Sequence, residues 1–149
     1  MSFHPAFVRW QRSTPDFAPE TYDRTHTVRF GGGIEIAASS APAYAGDASK
    51  VNPEELLVGA LSACHMLTFL AVASRKRLVV DSYADDAEGV LDKDPEGRMA
   101  VTRVILRPQV RFAPGVDVDD TTLAKLHEAA HRNCFVANSV KTQVTVESL

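Results

Sequence analysis

Between Leu56 and Ser74 the chain runs 19 residues without an Asp, Glu, Lys or Arg. That is close to the length of a membrane span. Gly59, Ser62, Cys64, His65 and Thr68 interrupt the run, and alternating strand patterns follow it. A buried helix at the centre of a soluble protein is therefore expected, with no membrane partner. Its start is well signalled: Asn52 can cap, Pro53 suits the first helical position, and Glu55 stands three residues after the cap. Glu54 and Glu55 favour the positive end of the helix dipole, and Arg75, Lys76 and Arg77 favour the negative end. A helix apolar all round must be covered on every side. A chain of 149 residues cannot easily do that alone, so dimerisation is expected.

The segments around this helix read as strands and one further helix. Arg24 to Phe30 and Ile34 to Ala38 flank Gly31, Gly32 and Gly33, a hairpin pattern. Ser39 to Lys50 is rich in Ala, Ser and Gly and reads as a loop. Leu78 to Leu91 and Arg98 to Phe112 form a second, longer hairpin around the turn cluster Asp92–Gly97. In its second arm Val104, Leu106, Val110 and Phe112 share one face, and Arg103, Arg107 and Arg111 the other. Pro108 places part of that arm at an edge or a bulge. Asp119 or Asp120 can cap a second helix running to about Asn133, and Val140 to Val146 alternates as a last strand. The order predicts an α+β fold in one domain, 1–149, with residues 1–21 a loose arm. The net charge of −3 provides no basic field for nucleic acid. Met1 to Glu20 contains no apolar run of signal-peptide type, so the two cysteines are expected to be thiols in a reducing cytoplasm.

Cys64 falls in the middle of the first helix and Cys134 at the end of the second, 70 positions apart. A free cysteine often serves only as a small core hydrophobe. Peroxide reduction asks for more: a thiolate that becomes a sulfenic acid, and a second thiol that condenses with it. Positive charge must favour the thiolate, and arginine keeps its charge when partly buried. A carboxylate can hold that arginine by paired hydrogen bonds. The sequence offers Cys64, Cys134, the arginines of the first hairpin, and Glu54.

Asn52–Pro53–Glu54–Glu55–Leu56, followed by Ala60–Leu61–Ser62–Ala63–Cys64–His65, resembles the signature of the OsmC/Ohr family. His131–Arg132–Asn133–Cys134–Phe135–Val136–Ala137–Asn138–Ser139–Val140 is similar to its second-cysteine motif. The resemblance runs from about Tyr22 onward. It implies an OsmC-like fold in which antiparallel sheets wrap central helices in an intertwined homodimer. It also implies reduction of organic hydroperoxides, Cys64 peroxidatic and Cys134 resolving, with a dithiol or thiol reductant and no metal or organic cofactor. The family carboxylate falls on Glu54. Ten helical residues span about 15 Å, so Glu54 would meet Cys64 of the other subunit. The family arginine falls on Arg24, with Arg29 second; on a strand these two face oppositely. Phe135 stands where well-studied members carry proline. The helix residues flanking Cys64, among them Leu61, Met66 and Leu67, are expected to line an apolar pocket.

Two other classes fit parts of the sequence. His127–Glu128–Ala129–Ala130–His131 matches the H-E-x-x-H zinc pattern, in a short helix with no evident third ligand. The bland reading is that His127 and Glu128 are partly exposed helix residues. The other class is non-enzymatic: a ligand-binding or redox-sensing module on the same fold.

Overall fold

In this computed structural model, which describes residues 1–147, helix α1 spans Pro53–Arg75. Its start is a reciprocal capping box: the Glu55 N–H donates to Asn52 Oδ1 at 2.9 Å, and the Asn52 N–H donates to Glu55 Oε2 at 3.1 Å. It ends at Arg77, which takes a left-handed φ of 59° while the Leu78 N–H closes on the Ala73 carbonyl.

The chain divides into two compact units, 1–56 and 57–149. The first contains a three-stranded antiparallel sheet of β1 (Ala6–Arg9), β2 (His26–Phe30) and β3 (Glu35–Ala38), with β2 central. The glycine turn joins β2 to β3, and Gly33 adopts a φ of 86°, which a side chain would resist. Residues 1–21, expected to be a loose arm, instead supply β1, and side-chain bonds tie the following stretch. Arg12 donates to the Thr14 and Pro15 carbonyls, Thr21 Oγ1 to Asp16, and Trp10 Nε1 to the Asp23 carbonyl. Every residue of β1 is exposed, so it lacks the buried–polar alternation by which a strand is recognised.

The second unit contains two sheets and helix α2 (Asp120–Asn133). The long hairpin forms, but it is broken in two. Strands β4 (Val80–Asp85) and β7 (Pro108–Phe112) pair in one sheet; β5 (Glu88–Lys93) and β6 (Met99–Leu106) pair in another. The last strand, β8 (Gln143–Val146), adds in parallel to β6. Pro108 stands at the first residue of β7, where a missing N–H costs the ladder least. The side-chain alternation persists through the break, but its apolar face feeds two clusters. Val104 and Leu106 pack with Leu61, whereas Val110 and Phe112 pack against Phe69, Ala73, Leu126 and Ala130.

Asp119 caps α2 by accepting from the Thr122 N–H at 2.7 Å. In α1 only Leu61, His65, Phe69 and Ala73 are buried, a single i, i+4 stripe. The opposite stripe, Gly59, Ala63, Leu67 and Ala71, is exposed. A single chain thus buries one face of a helix that is apolar on all of them. By length and composition α1 could cross a membrane, but its buried stripe packs in the protein core.

Candidate active site

α1 projects Cys64 half-exposed, and α2 ends on Cys134, which is its C-cap residue and is buried. The two thiols, far apart in sequence, are neighbours close enough for Cys64 to perturb the Cys134 thiol, and both are free. Burial raises the Cys134 thiol above its usual pKa, and the contact with Cys64 adds to this; the Ala137 N–H, donating to Cys134 Sγ at 3.4 Å, opposes it. A half-exposed thiol against a buried one is an arrangement in which an oxidised first sulfur can be captured by the second without large movement.

One residue beyond Cys64, His65 turns into the core and shares a hydrogen bond of 3.0 Å with His127 of α2, Nε2 to Nδ1. The rings stack with an interplanar angle of 11°, and Phe69 packs 4.6 Å from the His127 ring. Burial drives both imidazoles toward their neutral forms, His65 to a pKa of about 4, with the neighbouring His127 and His131 contributing. Nearby, Asp85 accepts from Ser62 Oγ at 2.5 Å and from the Arg107 N–H at 2.6 Å. Asp85 also helps burial to raise the Tyr83 phenol, whose buried hydroxyl has no partner among the described residues.

These positions correct two expectations. His127 is not a partly exposed helix residue; it is buried, whereas His131, one turn on, is exposed. No metal-holding group of His, Cys, Asp and Glu occurs among the described residues. Leu61 does not line an open pocket beside Cys64, because it is packed against Val104 and Leu106. Leu67 is exposed and Met66 is half-buried.

Glu54 lies in the first turn of α1, and its Oε2 is buried without a hydrogen-bond partner among the described residues. Arg24, in the first unit, donates to the Tyr22 carbonyl at 2.8 Å and the Pro19 carbonyl at 2.6 Å, and its guanidinium lies 4.0 Å over the Tyr22 ring. Arg29 stacks instead over Phe7 of the neighbouring strand, at 4.2 Å. Sequence reasoning missed the buried His65 and the half-buried Asp85. The adjacency of His65 to Cys64 was the one available signal.

Residues 46–148 match the OsmC-like protein family. The chain belongs to that family. A solved OsmC-like protein of unknown function from Vibrio cholerae is 44% identical, covers 100% of both chains and superposes with a TM-score of 0.95. The organic hydroperoxide resistance protein OhrB of Bacillus subtilis is 19% identical and covers 99% of this chain and 98% of its own, with a TM-score of 0.72. That likeness shows a shared fold. The uncharacterized Bacillus subtilis protein YmaD is 27% identical over 103 residues, 68% of each chain. The α+β architecture expected of an OsmC-like protein is thus present, and proteins named for organic hydroperoxide resistance share its fold.

Proposed function

We propose that this OsmC-like protein is a cytoplasmic, homodimeric thiol peroxidase that reduces organic hydroperoxides. The observation that carries the reading is that half-exposed Cys64 has a buried thiol, Cys134, as its neighbour. The Cys64 thiolate attacks the terminal oxygen of the hydroperoxide. The O–O bond breaks, the leaving alkoxide takes a proton to become an alcohol, and Cys64 becomes a sulfenic acid. The Cys134 sulfur then attacks Cys64: an S–S bond forms, the S–O bond breaks, and water leaves. An external dithiol or thiol returns the disulfide to two thiols by exchange.

Glu54 and Arg24 complete the site from the other subunit. The exposed stripe of Gly59, Ala63, Leu67 and Ala71 supports the homodimer, since the small residues let a second helix approach closely and Leu67 offers it an apolar side chain. The unpartnered buried oxygen of Glu54 is an acceptor suited to a guanidinium. A guanidinium has five N–H groups; Arg24 commits donors on both terminal nitrogens to carbonyls and retains others for a carboxylate and a thiolate.

Adding one equivalent of an organic hydroperoxide to the reduced protein, then mapping disulfides by mass spectrometry, tests the reading. A Cys64–Cys134 disulfide with an equivalent of alcohol released is the expected result. Unchanged thiols would overturn it in favour of a binding module.

A further inference from the structure

His65 and His127 are buried imidazoles that the reaction above does not use; they are 1% and 5% exposed. They share one hydrogen bond, Nε2 to Nδ1. Their outer nitrogens, His65 Nδ1 and His127 Nε2, have no partner among the described residues. Two buried polar rings joined by a single bond do little for net stability, since apolar side chains of the same shape fill such a site about as well. What the hydrogen bond adds is geometry. Apolar contacts tolerate sliding, whereas a hydrogen bond weakens steeply as its distance and angle depart from the optimum.

The bond stands where geometry matters to the thiols. On α1, His65 follows Cys64 directly, and Ser62, two residues before it, donates to Asp85 Oδ2 at 2.5 Å. Asp85 is the last residue of β4 and also accepts from the Arg107 N–H at 2.6 Å. The turn of helix that carries Cys64 is thus tied twice, to a strand and to α2. On α2, His127 and Cys134 are seven residues apart, which rotates them by only about 20° around the helix axis. With Ala130 they make a buried stripe. Cys134 Sγ is held in turn by the Ala137 N–H at 3.4 Å.

We propose that the His65–His127 hydrogen bond sets the register of α1 against α2, and that this register keeps the Cys134 thiol within reach of Cys64. The two histidines are positioning residues for the resolving step. The proposal rests on the peroxidase reading for that step, though not for the register. In the step the Cys134 sulfur attacks the Cys64 sulfenic acid, the S–S bond forms and the S–O bond breaks. The Cys134 proton leaves with the hydroxyl as water. Such an intramolecular reaction depends on the effective concentration of one thiol at the other, and a misplacement of about 1 Å can lower its rate by about a hundredfold.

That effective concentration is measurable without peroxide. The full-length protein is equilibrated with mixtures of reduced and oxidised glutathione, and the Cys64–Cys134 disulfide is quantified by mass spectrometry after acid quenching. A loss of stability shared by the reduced and oxidised forms cancels from this equilibrium, so a merely structural role would not move it. In His65→Leu/His127→Leu, which fills the volume and orphans no nitrogen, the effective concentration should fall by at least about tenfold. His65→Gln, whose amide reaches as far as Nε2 does, should stay within about threefold of the wild type. His65→Asn, too short to reach, should fall with the double variant. Mixed with tert-butyl hydroperoxide, the double variant should hold its Cys64 sulfenic acid about tenfold longer than the wild type. A wild-type effective concentration in the double variant, or equal values for His65→Gln and His65→Asn, would overturn the proposal. A tenfold fall in a protein that consumes no hydroperoxide would sustain the register and overturn the peroxidase reading alone.

Discussion

His65 and His127 hydrogen-bond across 3.0 Å inside the protein, tying the helix that carries Cys64 to the helix that ends on Cys134. The tie needs at least one neutral imidazole, since protonating both rings would leave no acceptor between the facing nitrogens and place two cations face to face. Burial lowers the pKa of both residues, His65 to about 4. The unfolded chain, with histidine near 6.5, therefore binds more protons than the folded one below that pH. Stability should be fully present above about pH 6.5, fall as pH drops toward 4, and level off for His65 below that value. Melting temperatures across this window test it. In the double variant His65→Leu/His127→Leu the histidine part of the slope should vanish. In His65→Leu alone, a buried His127 nitrogen loses its partner at a cost of about 1–3 kcal/mol.

Arg77 holds a left-handed φ of 59° at the end of α1. Glycine adopts that conformation without strain. Arg77→Gly should leave stability unchanged or raise it by up to about 1 kcal/mol, even though it removes a charge favourable to the helix dipole. Chemical denaturation measures the balance; a loss above 1 kcal/mol would mean that the arginine side chain contributes to packing.

The exposed stripe of α1 predicts the assembly. Leu67 is 63% exposed in the single chain, opposite the buried stripe of Leu61, His65, Phe69 and Ala73. Leu67→Glu should convert dimer to monomer by light scattering, because an unpaired charge cannot be buried between two apolar faces without a penalty of several kcal/mol. Leu61→Ala should act differently, costing about 2–5 kcal/mol of folding stability by opening a cavity beside Val104 and Leu106.

Much of this organisation was legible because its signals are local. The box of Asn52 and Glu55 and the cap at Asp119 lie within four residues of the bonds they make. The alternation from Val104 to Phe112 also proved readable. Its division between two sheets did not, because the packing that splits it comes from α1 and α2 rather than from the strand's own residues. His127 shows the same limit. Its partner His65 is 62 residues away, so a motif reading on α2 alone could assign it only to the surface or to zinc. The strand β1 was missed because its partner His26–Phe30, not its own pattern, makes it a strand.

Glu54 presents a buried carboxylate oxygen with no partner among the described residues. If that oxygen orients Arg24 of the other subunit, Glu54→Gln should slow thiol oxidation by about ten- to a hundredfold, the rate equivalent of one charge-assisted hydrogen bond. Arg24→Ala should slow it at least as much. The double variant should be little worse than Arg24→Ala, since the carboxylate acts through the guanidinium. Additive losses in hydroperoxide kinetics would separate the two residues.

Cys64 meets the peroxide in this mechanism, and Cys134 resolves the sulfenic acid. Stopped-flow mixing of the reduced protein with an organic hydroperoxide, beside Cys64→Ser and Cys134→Ser, tests both roles at once. Thiol loss should be rapid in the wild type and no faster than background in Cys64→Ser, and a trappable sulfenic acid should accumulate in Cys134→Ser. Wild-type protein reacting no faster than free cysteine would contradict this mechanism.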